Sequence, residues 1–503
     1  RIFRLRWRKF QPESANPAQL TSPGWPDMLK RNPVLPVADE FAYPADSLGM
    51  DADEMRRLGH RVVDLVVDRL QRKNAEAALI TGSPVDLMQA LGGPLPEQPM
   101  DADASLELLA EVALAYQQHG DHPRYFARVP GPSSFAAVLG EWMGTGFNTI
   151  SASWGGGSGP ATVELVVIEW LRQMIGMPSG TEGVLVSGGS IANVTAFLAA
   201  RSELGRGVSY FTDQTHSSLH RDLIAMGCID EHMHKMPSDD NYCMSIDTLK
   251  AAVAADKAAG LRPVMVVATA GSTNTGVADP LHAIADFCQQ ENMWFHVDGA
   301  YGGPAAVTAQ GRRHLDGMER ADSVVLDPHK WFFQPYDIGV CMVTRPGALE
   351  RCYAMSPEYL KDVQATSGAV NFGNRSLELT RRSRALKLWM SLRSYGAARF
   401  RDAVQRGIEL AEFAEAYLRQ HPQTWEVITP AQIGVVCFAF RDWRPGEHAA
   451  CSKTVTDSGF ACVSSTMLRE RSVLRLCTIN PLTREEDIVE TIDRLAAARP
   501  SRG

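Results

Sequence analysis

Between residues 183 and 344, short apolar runs alternate with helix-like stretches: "GVLVSGG", "VSYFTD", "VMVVATAG", "MWFHVDGAYGG", "SVVLDP" and "IGVCMVT". No other feature of the chain limits its fold so sharply. Near-continuous apolar runs read as strands buried on both faces. Alternation with helices predicts a largely parallel sheet covered on either side. Ligands of such sheets collect outside the carboxyl ends of the strands, so the residues after each run are the place to look for chemistry.

One run, "SVVL", leads into "DPHKWFF" and sets His329, Lys330 and Trp331 at a strand end. Taken alone, the lysine reads as a surface side chain snorkelling past apolar neighbours. The other strand ends argue against that. "VLVSGGSIAN" is strand, glycine turn and helix start, where N–H groups and the Ser190 hydroxyl suit a phosphate. Gly-Gly-Ser is also a common turn. "FHVDGAYGG" closes a strand with Asp298, a carboxylate costly to bury unless it meets a cation; a helix cap or an ion pair is the plain alternative. Gly299 and Ala300 leave room for something flat. "TDQTHSSLH" places His216 past another strand, able to stack on a ring or to cap a turn, and "ATAGSTNTG" adds Ser272 and Thr273. Together they ask for a ligand with a phosphate, a flat aromatic body and a protonatable ring nitrogen. Pyridoxal 5'-phosphate has all three. Lys330 offers the amine for its aldehyde and Asp298 the acid partner for its nitrogen.

At 503 residues the chain has length for two or three domains, with 45% apolar and 21% charged residues as in a soluble globular enzyme. A formal charge of −8 argues against nucleic-acid binding. Nine scattered cysteines without a C-x-x-C pair suggest neither a zinc site nor a disulfide framework, so no metal and a reducing, cytoplasmic setting are expected. No apolar run approaches bilayer length, and no membrane partner is expected.

Residues 1–48, with basic-apolar "RIFRLRWRKF" and a Pro-rich continuation, read as a disordered extension. Residues 49–130 read as a helical segment, with Met55, Leu58, Val62, Val63, Leu65 and Val66 outlining one apolar face. Further helical stretches are expected near 105–117 and 161–175. Residues 131–375 make the large α/β domain and 376–503 a small α+β domain. The latter combines a long helical pattern over 376–420 with strands at "TWEVITP", "GVVCFAF" and "SVLRLCTI". Its last helix opens with a Thr483/Glu486 capping-box pattern.

"SGGSIAN", "DQTHSS", "HVDGAYGG", "ADSVVLDPHKW" and "RALKLWMSLRSYG", in this order, closely resemble the group II pyridoxal-dependent amino-acid decarboxylases, within them the aromatic-L-amino-acid decarboxylase branch. The similarity runs from about residue 50 to the C-terminus. It implies an aspartate-aminotransferase-like (type I) α/β fold, with a large, mainly parallel sheet of seven-stranded type and a small C-terminal α+β domain. It further implies a homodimer whose active sites use both subunits, and decarboxylation of an aromatic L-amino acid (tryptophan, tyrosine, phenylalanine or DOPA) to the amine. By the same resemblance Lys330 binds the cofactor aldehyde, Asp298 pairs with the ring nitrogen, Ala300 packs on one ring face and His216 on the other. Gly189, Ser190, Thr273, Asp327 and His329 match anchoring positions. "HPRYFARVP" implies Tyr125 and Phe126 as substrate walls, and "TISASWGGGSGPATVEL" adds Ile150, Ala152 and Trp154. Ala152 stands where animal members carry a bulkier aromatic, leaving room for an indole.

One departure stands out. The family carries a loop tyrosine that returns a proton after carbon dioxide leaves, and counting back from Arg381 and Arg382 puts that position at Phe372. Phenylalanine cannot donate a proton. An aromatic aldehyde synthase on the same scaffold is therefore the alternative, with His216 or water as other proton donors. Decarboxylation of a non-aromatic amino acid and a non-catalytic interaction protein are the more distant readings.

Overall fold

The computed structural model describes residues 48–355 and 368–500. The extension expected over 1–48 lies almost wholly outside them. The chain forms two compact units, residues 1–67 with 101–103, and residues 68–100 with 104–503. Most of the helix Ala52–Arg72 belongs to the first, and none of its side chains is buried. Within that unit Arg57 pairs with Glu54 and Asp103.

The second unit holds a seven-stranded sheet. Its strands are β1 (Glu182–Val186), β2 (Val208–Thr212), β3 (Met233–Met236), β4 (Pro263–Thr269), β5 (Trp294–Asp298), β6 (Ser323–Leu326) and β7 (Gly339–Val343), in the order 1-7-6-5-4-2-3. All neighbours pair in parallel except β7, which runs antiparallel to both β1 and β6. Consecutive residues of β2, β5, β6 and β7 are all buried, so both faces of the sheet are covered. The apolar runs of the sequence become strands for that reason. "MHKM" of β3 escaped the reading because His234 and Lys235 break its apolar run, and both are less buried than the methionines around them.

Strands β8 (Trp425–Gln432), β9 (Val435–Phe440), β10 (Ser464–Leu468) and β11 (Arg471–Cys477) form a second, antiparallel sheet in the order 10-11-9-8. A separate apolar cluster packs there, with Trp425, Phe438, Phe440, Leu474 and Ile488 at its centre. The long helix expected from residue 376 begins only at Ala385 and runs to Gln420. The preceding residues are diverted into ion pairs. Arg381 and Glu164 are both fully buried with Nη2 and Oε1 2.6 Å apart, and Arg384 reaches Glu378 at 2.7 Å. The last helix, Glu485–Ala497, is capped by Asp487, which accepts the Arg484 N–H at 2.9 Å. Thr483 was expected in that place; its hydroxyl donates instead to the Pro123 carbonyl at 2.6 Å.

Candidate active site

A cleft of about 270 Å³ opens at the strand ends, near the lower limit of small-molecule sites. It is lined by every residue expected to hold the cofactor: Gly189, Ser190, His216, Thr273, Asp298, Ala300, Asp327, His329 and Lys330. Strand β6 ends at Leu326 and turns at Asp327 into the single helical turn Pro328–Trp331. Trp331 is buried and stacks on Tyr301, ring centroids 5.7 Å apart and planes 6° from parallel. That packing anchors the turn, while Lys330 faces the cleft and places Nζ 2.9 Å from the Asp327 carboxylate. Burial pulls the Lys330 pKa down, but Asp327 and Asp298 outweigh it and hold the amine above its ordinary value. His329 accepts the Ile338 N–H on Nδ1 at 3.2 Å, and burial lowers its pKa.

His216 lies after β2. The Ser218 N–H points at its Nδ1 at 3.3 Å and the Ser218 hydroxyl lies 2.9 Å from the same atom. An Nδ1 that accepts leaves the ring proton on Nε2. Burial lowers the His216 pKa, against a smaller opposing pull from Asp298, so the ring is held neutral. Asp298 closes β5, accepting the Ala300 N–H on Oδ1 at 3.1 Å and the Asn193 amide on Oδ2 at 3.4 Å. At the end of β1 the helix Gly189–Leu204 has no side-chain cap, which leaves its first-turn N–H groups open to an anion. Space at Gly189 is tight: a Cβ there would stand 3.0 Å from Asp327 Oδ2 and 3.1 Å from the Ala300 Cβ. Gly271, also on the lining, adopts φ +89°.

These residues fit pyridoxal phosphate. An amine, an almost fully buried carboxylate with lone pairs to spare, and an uncapped helix start match its aldehyde, ring nitrogen and phosphate. Asp327 pairs with Lys330, and its Oδ1 is buried without a partner. Its place in the cleft is beside the lysine.

Other expected site residues lie elsewhere. Tyr125 and Phe126 are buried at 2% and 0% exposure. The Tyr125 hydroxyl donates to Gln118 at 2.8 Å, and Phe126 is stitched into the small sheet by bonds to Cys462 and Cys477. Adjacent residues of an extended segment point to opposite sides, and here both sides are core. Ile150, Ala152 and Trp154 do not line this chain's cleft. Ile150 is 39% exposed, Ala152 accepts the Gly373 N–H, and the Trp154 N–H donates to Asn371. Phe372 is fully buried, its ring 5.1 Å from the Arg381 guanidinium. It packs into this wall and does not line the cleft with Lys330. The sequence also holds Tyr359, outside the described residues.

Two further residues stand near the lining of the cleft without forming part of it. Tyr336 leans its ring on His329, centroids 4.8 Å apart, and its hydroxyl abuts Gly131, where a Cβ would sit 2.5 Å away. Arg475 on β11 is 3% exposed, bonded through Nη1 to the Arg128 carbonyl, with Nε and Nη2 unpaired. Nothing in the sequence marks either, since their neighbours come from distant segments. Among the described residues no cluster of side chains could hold a metal ion.

Residues 84–441 match the pyridoxal-dependent decarboxylase conserved domain. The chain is 38% identical to the aromatic-L-amino-acid decarboxylase of Bacillus atrophaeus, covering 90% of this chain and 97% of the relative. The chain belongs to the pyridoxal-dependent decarboxylase family. It is therefore a pyridoxal-phosphate-dependent lyase, and its fold is that of the family. A phenylacetaldehyde synthase of Arabidopsis thaliana is 30% identical, over 88% of this chain and 95% of its own. The crystal structure of an Oryza sativa TDC with PLP and tryptamine superposes with a TM-score of 0.84 at 27% identity, covering 91% of this chain and 99% of that one.

Proposed function

We propose that this decarboxylase acts on an aromatic L-amino acid and releases the amine and carbon dioxide. The observation that carries the reading is the meeting of Lys330, Asp298 and His216 in one cleft, supported by relatives named for aromatic substrates. When bound, the cofactor supplies an electron sink for the pair left by the broken C–C bond. Lys330 anchors it, with Asp327 as the lysine's counter-ion. Asp298 holds the ring nitrogen in its charged form, and the first turn of the helix Gly189–Leu204 receives the phosphate. His216, neutral, presents Nε2–H to the cleft beside the scissile bond.

The active form in this reading is a homodimer. Ile150, Ala152 and Trp154, remote from their own chain's cleft, then face the partner's. Val85, Met88, Leu95, Met143 and Phe147 are each more than half exposed and would be covered. A cytoplasmic setting agrees with nine cysteines that are all free. Among the described residues no helix is long and apolar enough to cross a membrane.

The aldehyde synthase stays as second reading because of the Arabidopsis relative. Phe372 is buried beside Arg381 in its own chain. Product analysis with a panel of aromatic amino acids, in air and under nitrogen, decides. Amine without oxygen uptake is expected. Aldehyde, ammonia and peroxide in air would replace this reading with the second, and turnover of non-aromatic amino acids alone would overturn the substrate class.

A further inference from the structure

Behind Asp298 runs a line of buried polar groups that the reaction itself does not require. Asn193 (1% exposed) donates its amide N–H to Asp298 Oδ2, and its Oδ1 lies 3.0 Å from His296 Nε2. His296, fully buried on β5, sets Nδ1 2.8 Å from the Ser323 hydroxyl, which in turn lies 2.8 Å from Trp294 Nε1. Phe197 packs edge-on against the imidazole at 4.9 Å and fixes its plane.

The proton positions follow from the chemistry of each group. An indole N–H only donates, so Ser323 accepts from Trp294 and spends its own hydrogen on His296 Nδ1. The ring proton of His296 then sits on Nε2 and goes to Asn193 Oδ1, which leaves the Asn193 amide free to donate to Asp298. A single arrangement satisfies all four contacts, and every donor in it points toward the carboxylate. It requires a neutral imidazole; burial pushes the His296 pKa down to about 4, despite an opposing pull from Asp298.

We infer that Trp294, Ser323, His296 and Asn193 form a one-way hydrogen-bond relay that fixes the orientation and the negative charge of Asp298. They are positioning residues, acting through Asp298, and the inference rests on Asp298 facing the cofactor nitrogen. Bonds aligned in one sense in a dry interior polarise one another, and an oriented outer partner sets the basicity of the group it holds. The relay keeps a nearly buried carboxylate aimed at the place the cofactor ring would take.

Asn193→Asp is nearly isosteric, still accepts from His296, and when ionised has no proton to donate to Asp298. Asn193→Leu removes both bonds at similar volume. In each holoenzyme we expect the pH midpoint of the bound cofactor's absorbance to move by about one unit, the scale of one hydrogen bond to a charged group. We expect kcat to fall about tenfold or more with KM within about threefold. Reconstitution with a cofactor analogue carrying carbon in place of the ring nitrogen should erase the kcat difference between wild type and variants. Unmoved midpoints in both variants, with Asp298→Asn moving its own, would overturn the relay and leave the Asp298 assignment intact. An Asp298→Asn enzyme with normal absorbance and kcat would overturn both. Variants that fail to hold the cofactor at all would make these residues structural and also refute the inference.

Discussion

Asp298 closes β5 and Lys330 lies on the helical turn after its neighbour β6, and they differ in what surrounds them. The lysine has a carboxylate 2.9 Å away, whereas the aspartate accepts from the Ala300 N–H and the Asn193 amide. Lys330→Ala should abolish the borohydride-fixed cofactor adduct and nearly all turnover. An adduct surviving in that variant, traced by peptide mapping, would place the anchor on another lysine. Asp298→Asn should still bind cofactor and react about 10³-fold more slowly. The figure follows from an ion pair of roughly 4 kcal/mol at an effective dielectric near 20. Single-turnover rates check it, and near-normal rates would refute the role. Phe372 shows the opposite case, a residue singled out in the sequence that packing has claimed. Phe372→Tyr puts a hydroxyl beneath Arg381 in a filled wall. It should cost about 1–3 kcal/mol of stability in urea unfolding and leave the product ratio unchanged. A shift of product toward amine would return Phe372 to the reaction.

Among the elements, the helix Glu447–Asp457 ties the small sheet together through one imidazole. His448 is fully buried and accepts the Phe440 N–H of β9 on Nε2 at 3.0 Å. Burial pushes its pKa down to about 4, from an ordinary 6.5. On acidification the unfolded chain therefore takes up the proton first. The stability held in this contact is complete above about pH 6.5 and is lost as the pH falls toward about 4, with an upper bound of roughly 3 kcal/mol. His448→Gln should be less stable than wild type at pH 7 yet show a smaller drop between pH 7 and pH 5, read from urea midpoints. An equal drop would locate the acid sensitivity elsewhere. The elements the sequence reading missed share a cause. Strands β3 and β10 are short and only partly buried, so they carry no apolar run. The helix starts late at Ala385, after Arg381 and Arg384 have been engaged by Glu164 and by Glu378 and Asp337.

For the whole molecule, the prediction is a dimer at working concentration. Five side chains over residues 85–95 and 143–147 expose large apolar areas, and three of the residues expected to wall the substrate, Ile150, Ala152 and Trp154, are absent from their own chain's cleft. Sedimentation should show about twice the chain mass of 55.1 kDa. A fully active monomer would contradict both the dimer and the shared site.

The sequence by itself determined the parallel sheet, the cofactor and the chemical ends of the cleft. Each depends on local signals: apolar runs, a glycine turn before a helix, and charged residues directly after a strand. Where a side chain points, and what it meets, was decided only by tertiary structure. Phe126 went to the core with β9 and β11, and Tyr125 to a small cluster with Ala78, Ala127 and Cys462. Phe372 went beneath a buried arginine whose acid partner comes from a distant helix. Tyr336, Arg475 and the line from Trp294 to Asp298 gained their places from contacts across long stretches of chain. Strand ends are written in adjacent residues, but a hydrogen-bond partner more than a hundred residues away, as Asp298 is for Asn193, leaves no trace in spacing.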